Sequence, residues 1–267
     1  MSPSPTSLFD AIDRSDPEPG RHSEGSFAFL NRVASPYWAR VRDELDSWFL
    51  KYPDAHAADL RGRFRSARPG QHWGAWWELY LFRLFSRLGF ELEVHPSLPD
   101  HTTHPDFRVS GKGEEFYLEA ATVFSGIVEE GRDARREGWI LDAINHVKSA
   151  NFFVGVDFGR VGIQRPRVGE ITRPIEEWLS GLDPDEVTAR VHEGERPPEL
   201  HLPVRDWVLE IEAYPIKPEA RGKPGHRLLG RGPMSGGMVN DIDQTQKKLR
   251  QKLGHYGPLP APLVVGS

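Results

Sequence analysis

The chain has 267 residues, 38% of them hydrophobic, enough for one large domain or a domain carrying a sizeable insertion. It contains no cysteine, so disulfides and thiolate metal sites are excluded; any metal must take oxygen or imidazole ligands, and a reducing, cytoplasmic setting fits. The net charge of −5 counts against a protein living on non-specific DNA affinity, and leaves nucleic-acid contacts to local patches.

In chain order, the N-terminal stretch MSPSPTSLFDAIDRSDPEPG lacks the basic region and apolar core of a signal peptide. No apolar run approaches the ~20 residues that cross a bilayer, so no membrane partner is expected. Residues 1–25, rich in Pro, Ser, Asp and Glu, read as a disordered segment. An N-terminal helical region is expected over 26–71. Within it Ser35 and Pro36 offer an N-cap and a first-turn proline, and Tyr37, Trp38, Val41, Leu45, Trp48 and Phe49 recur at helical spacing until Pro53. Arg61, Arg63, Arg65 and Arg68 follow in a short basic stretch, as much a solvated face as a phosphate contact.

From residue 72 to the C-terminus the pattern predicts an α/β domain. A helix is expected from Trp73 to Phe90, then strands at 90–95, 105–110 and 115–124. A helix at 133–148, a strand at 151–158 and a helix at 171–182 come next. Residues 183–203 read as a polar loop and 206–214 as a strand. The Gly- and Pro-rich segment beyond carries Lys217, Arg221, Lys223, Arg227 and Arg231 against one acid, Glu219, which makes it the candidate for backbone phosphate contacts. A last helix at 240–256 leads into PAPLVVGS, a strand barely completed, so a truncated C-terminus or an added Gly-Ser is expected.

Two acids stand in otherwise apolar strands, in HPDFRVSGKGEEFYLEAATVF at 104–124. A turn around Ser110 to Gly113 folds the strands into a hairpin, and strand alternation puts Asp106 and Glu119 on one face. Such carboxylates repel unless a cation lies between them, and a hard ion such as Mg²⁺ takes this kind of ligand. On the preceding helix Trp73, Trp76, Trp77, Tyr80, Leu81, Leu84, Phe85 and Leu88 form an apolar arc, read as core. Glu78 falls about 20° beyond its edge at about 100° per residue. His95, His101 and His104 lie in a loop with no further ligand evident, so a histidine metal site is not expected.

The order helix with Glu78, strand, strand opening Pro105-Asp106, strand with Leu118-Glu119 resembles the PD-(D/E)xK nuclease superfamily. The match covers roughly 72–124 plus the following helix and strand, less than half the chain. The resemblance implies a restriction-endonuclease-like core with a mixed β-sheet flanked by helices, in which 126–239 is a large insertion. It implies an endonuclease that hydrolyses phosphodiester bonds in nucleic acid, with DNA expected, and that uses Mg²⁺, or Mn²⁺ in its place. Asp106 and Glu119 would hold the metal, and Glu78 would assist at it or orient a water. Many such enzymes dimerise to cut both strands, so a homodimer is in keeping.

One position departs from the pattern. The family's lysine stands two residues beyond the strand acid, where this chain has Ala121. Lys252, on the helix that runs into the last strand, is the preferred replacement, with Lys148 as the other candidate. The same departure supports an alternative, a catalytically inactive nuclease-like module that binds nucleic acid or a protein partner. A third reading is an unrelated α/β interaction protein whose acids are surface residues.

Overall fold

The structure, a computed structural model, describes residues 6–98, 103–122, 132–223, 228–229, 246, 249–250, 256 and 259–266. It is a mixed α/β protein that divides into two compact units. The first comprises Met1–Gly20, Gly25–Glu130 and Val239–Ser267, and the second Arg21–Glu24 and Gly131–Met238. No helix among the described residues is long and apolar enough to cross a membrane.

The first unit opens with four helices, α1 (Ser26–Arg32), α2 (Pro36–Phe49), α3 (Asp54–Phe64) and α4 (Pro69–Arg87). Prolines at the first turns of α2 and α4 start those helices without losing a hydrogen bond. Helix α3 grows out of the basic stretch because Ala57, Leu60 and Phe64 recur at helical spacing and are buried.

The disorder expected for residues 1–25 is corrected over the described residues 6–20. Leu8 and Phe9 are buried in the core of this unit. The Leu8 N–H donates to Asp46 at 2.7 Å, Arg61 Nε donates to the Ser7 carbonyl at 2.7 Å, and Arg65 donates to the Leu8 carbonyl and to Asp10. An apolar pair inside a polar stretch is enough to anchor the segment once neighbouring side chains satisfy its backbone. Arg61 and Arg65 therefore tie down the N-terminal segment.

Helix α4 buries a different face from the one its aromatic arc predicts. His72, Ala75, Glu78, Leu79, Leu81 and Phe82 are buried, whereas Trp73, Leu84 and Leu88 are exposed. Trp76, Trp77, Tyr80 and Phe85 are half-buried against the same core, so the helix is in contact nearly all round. A wheel drawn on the largest side chains points at their centroid; the packed face is set by the smaller residues that let α4 approach its neighbours.

Strands β1 (Glu91–Val94), β2 (Phe107–Gly111) and β3 (Glu114–Ala120) form an antiparallel meander, and β7 (Leu263–Gly266) adds to β3 in parallel, giving a mixed sheet ordered β1-β2-β3-β7. Phe107, Val109 and Leu118 face the core they share with Leu79 and Phe82 of α4. Tyr117 on the opposite face packs with Leu98 and Tyr256. The Trp77 indole N–H donates to the Gly266 carbonyl at 2.9 Å, fastening α4 to the end of β7.

The second unit holds α5 (Arg132–Ile144), β4 (Phe152–Arg160), α6 (Val168–Ser180), α7 (Pro184–His192), β5 (Glu199–Val204) and β6 (Trp207–Pro215). Its strands form an antiparallel sheet ordered β4-β6-β5 over a core that includes Ile140, Ile171, Ile175, Trp207 and Ile211. The polar loop expected over 183–203 is corrected to α7 and most of β5. Asp183 caps α7 by accepting from the backbone of Asp185 and Glu186, and Val187 anchors it. Pro203 is tolerated in β5 because that strand is an edge.

Candidate metal centre

Asp106 immediately precedes β2. The register that pairs Phe107 with Leu118 sets it across from Glu119 when carried one step further. Its Oδ2 accepts from the Ala120 N–H at 2.7 Å, so the hairpin backbone aims the carboxylate. Its own carbonyl accepts from the His95 N–H at 2.9 Å, which brings the residue just after β1 alongside. His95 sits at φ 48, a left-handed conformation uncommon outside glycine but more accessible to His, Asn and Asp.

Glu78 reaches the same place from α4. Only 2% of it is exposed, and it is fully dressed. The Tyr52 hydroxyl donates to Oε1 at 2.6 Å, Arg63 donates from Nη1 to Oε2 at 2.7 Å and from Nη2 to Oε1 at 3.1 Å. His95 Nε2 lies 3.7 Å from Oε1. Glu78, His95 and Asp106 each offer a ligand atom, and these atoms lie within 4.8 Å of one another. The rings of His56 and His104 flank His95 at centroid distances of 5.0 and 4.6 Å.

Glu119, also 2% exposed, stands outside that group of three. The Tyr256 hydroxyl donates to its Oε2 at 2.8 Å and lies 3.0 Å from the His104 carbonyl. Burial, followed by the charge and hydrogen bond of Glu78, pushes the Tyr52 phenol well above its usual range; burial followed by Glu119 does the same to Tyr256. The charge of Asp106 adds to both shifts. Both phenols therefore remain donors. Burial works against the Arg63 charge, but its bonds to Glu78 and Asp59 outweigh that and raise its pKa. Burial lowers the pKa of His95, with His104, His56 and Arg63 acting in the same sense and Glu78 opposing. A neutral imidazole is the form a metal takes.

Of the residues expected from the sequence, Glu78 and Asp106 are brought together and Glu119 lies opposite Asp106 in register. No histidine metal site is expected from the sequence, yet His95 offers a ligand atom within 4.8 Å of those of Glu78 and Asp106. No periodic pattern marked it, because it lies just past a strand end. His101 lies outside the described residues.

Ala121 is buried, with its N–H donated to the Gly266 carbonyl, so the position two beyond Glu119 serves the β3–β7 pairing. Lys252, Arg227 and Arg231 lie outside the described residues. Lys148, placed by its spacing within the apolar arc of a helix running to 148, is instead exposed four residues beyond the end of α5, in the second unit. Lys217 and Lys223 are exposed, but Arg221 pairs with Asp185 at 2.8 Å and donates to the Ile216 carbonyl. Arg221 is thus held by its own unit.

Comparison of the chain with family models, with curated proteins and with solved structures finds no match. Two carboxylates and a neutral imidazole form a donor set suited to a divalent cation. One ion at about 2.1 Å from each ligand requires them to lie within about 4.2 Å of one another, which small side-chain rotations can supply.

Proposed function

We propose that the protein is a metal-dependent phosphodiesterase acting on nucleic acid, with DNA as the expected substrate, built on a restriction-endonuclease-like core. The observation that carries this reading is the convergence of Glu78 and Asp106, from helix and hairpin, with Glu119 opposite Asp106. The order α4-β1-β2-β3, with β7 parallel to β3, supports it. A bound divalent ion would supply Lewis-acid polarisation of the scissile phosphate and acidify a bound water.

Asp106, held by the Ala120 N–H, and Glu119, held by Tyr256, would be its carboxylate ligands. Glu78, oriented by Arg63 and Tyr52, would hold the metal or position the attacking water. Lys252 would assist the attack. The decisive experiment measures cleavage of single-stranded DNA, duplex DNA and RNA with Mg²⁺ and with Mn²⁺, in the parent protein, Asp106→Asn and Glu119→Gln. Cleavage that falls by about a hundredfold or more in both variants, with the fold retained, is expected. Equal cleavage in the variants would remove the proposed site.

Burial of Ala121 where the family's lysine stands favours a second reading, a nuclease-like module that binds but does not cleave. Binding without product under every metal and substrate would select it.

A further inference from the structure

The donor set itself points to the kind of ion. A site for Mg²⁺ alone is built from oxygens, and that ion keeps much of its water. Here an imidazole nitrogen stands with the two carboxylates, and its place is fixed from several directions. The His95 N–H is bonded to the Asp106 carbonyl, so ligand and ligand are joined through the backbone. The rings of His56 and His104 both pack against the His95 ring. The left-handed backbone at φ 48 brings the ring in from the strand end. Glu78 and Asp106 are likewise oriented by Arg63, Tyr52 and the Ala120 N–H, so small side-chain rotations complete the site.

We propose that Glu78, His95 and Asp106 form a site selective for a first-row transition ion, Mn²⁺ or Zn²⁺, over Mg²⁺, with His95 Nε2 as the ligand that discriminates. Imidazole binds such ions in preference to the hard alkaline-earth cations, whereas carboxylates alone accept both. The inference rests on the metal site of the preceding reading, with which it shares Asp106 and Glu78 and to which it adds His95, but not on turnover.

Isothermal titration of the metal-free, full-length protein, without nucleic acid, with MnCl₂, ZnCl₂ and MgCl₂ in turn, tests it. One site is expected, at least about tenfold tighter for Mn²⁺ and Zn²⁺ than for Mg²⁺. Asp106→Asn should abolish it for all three ions. His95→Asn suits the left-handed backbone and removes the imidazole; it should cost roughly tenfold or more for Mn²⁺ and Zn²⁺ and leave Mg²⁺ binding, which rests on the carboxylates, unchanged. Imidazole ¹⁵N resonances of the parent protein give a readout free of any folding defect, and the His95 Nε2 signal should shift on adding Zn²⁺. Equal affinities for the three ions, transition-ion binding that survives Asp106→Asn or is untouched in His95→Asn, or an unmoved His95 resonance would overturn the proposal. Selective binding with no cleavage of any nucleic acid would uphold it while removing the nuclease reading. Metal-dependent cleavage together with equal affinities for the three ions would do the reverse.

Discussion

Glu78 is a carboxylate placed where carboxylates are rarely found, and Arg63 is what makes its burial tolerable. The pair joins an acid only 3% exposed at its side chain to a guanidinium 28% exposed. Removing the cation leaves the acid with the Tyr52 hydroxyl as its strong donor. Arg63→Ala is therefore expected to lower stability by about 3 kcal/mol, the low end for breaking a buried ion pair, since Arg63 keeps some access to water. Urea unfolding measures it, and a loss below about 1 kcal/mol would show that Glu78 is solvated or neutral. His72 gives a second residue-scale prediction. It is 2% exposed, its Nδ1–H donates to the Phe64 carbonyl, and burial lowers its pKa below the ordinary 6.5. The unfolded chain then takes up a proton near pH 6.5 that the folded one resists, so this contribution to stability is present above that pH and lost as pH falls below it. The melting temperature should drop between about pH 7.5 and pH 5.5, and His72→Gln, which can keep a donor to Phe64, should shrink that drop. Parallel pH profiles in the two proteins would assign the loss to other groups.

At the scale of elements, what was legible in the sequence followed from how plainly burial is written in periodicity. The hairpin of β2 and β3 was readable because Phe107, Val109, Phe116 and Leu118 alternate with polar residues around a glycine turn. Its register, and with it the facing of Asp106 and Glu119, came from the same alternation. Helix α7 and strand β5 were not readable, since Pro184, Pro203 and a run of charges leave few apolar markers, and their pairing with β6 supplies what the local sequence lacks. His95 was hidden for a related reason: its position depends on a backbone bond to Asp106, not on any pattern. The contact of α5 with residues 21–24 is equally non-local. Asp142 accepts from the backbone of His22 and Ser23, and a Cβ on Gly138 would lie 2.6 Å from the Ser23 nitrogen and 2.7 Å from the His22 carbonyl. Gly138→Ala in an isolated helix would add up to about 1 kcal/mol of stability. Here the obstructing atoms are backbone, so the variant is expected to be less stable by about 1–3 kcal/mol, with faster amide exchange at 22–24. A variant more stable than its parent would mean the segment moves aside without cost.

For the molecule as a whole, the net charge of −5 sets the terms on which it could meet a polyanion. Several of the arginines are already engaged within the protein: Arg61 and Arg65 hold the N-terminal segment, Arg63 holds Glu78 and Arg221 holds Asp185. On the nuclease reading, a bound divalent ion adds to the attraction that basic side chains supply. An uncleavable phosphorothioate duplex, followed by fluorescence anisotropy at about 150 mM salt, should bind at least about tenfold more tightly with Mn²⁺ than with EDTA, and the difference should vanish in Asp106→Asn. Equal affinity with and without metal, together with a steep salt slope, would place the recognition in basic side chains and leave the three ligands no part in holding DNA.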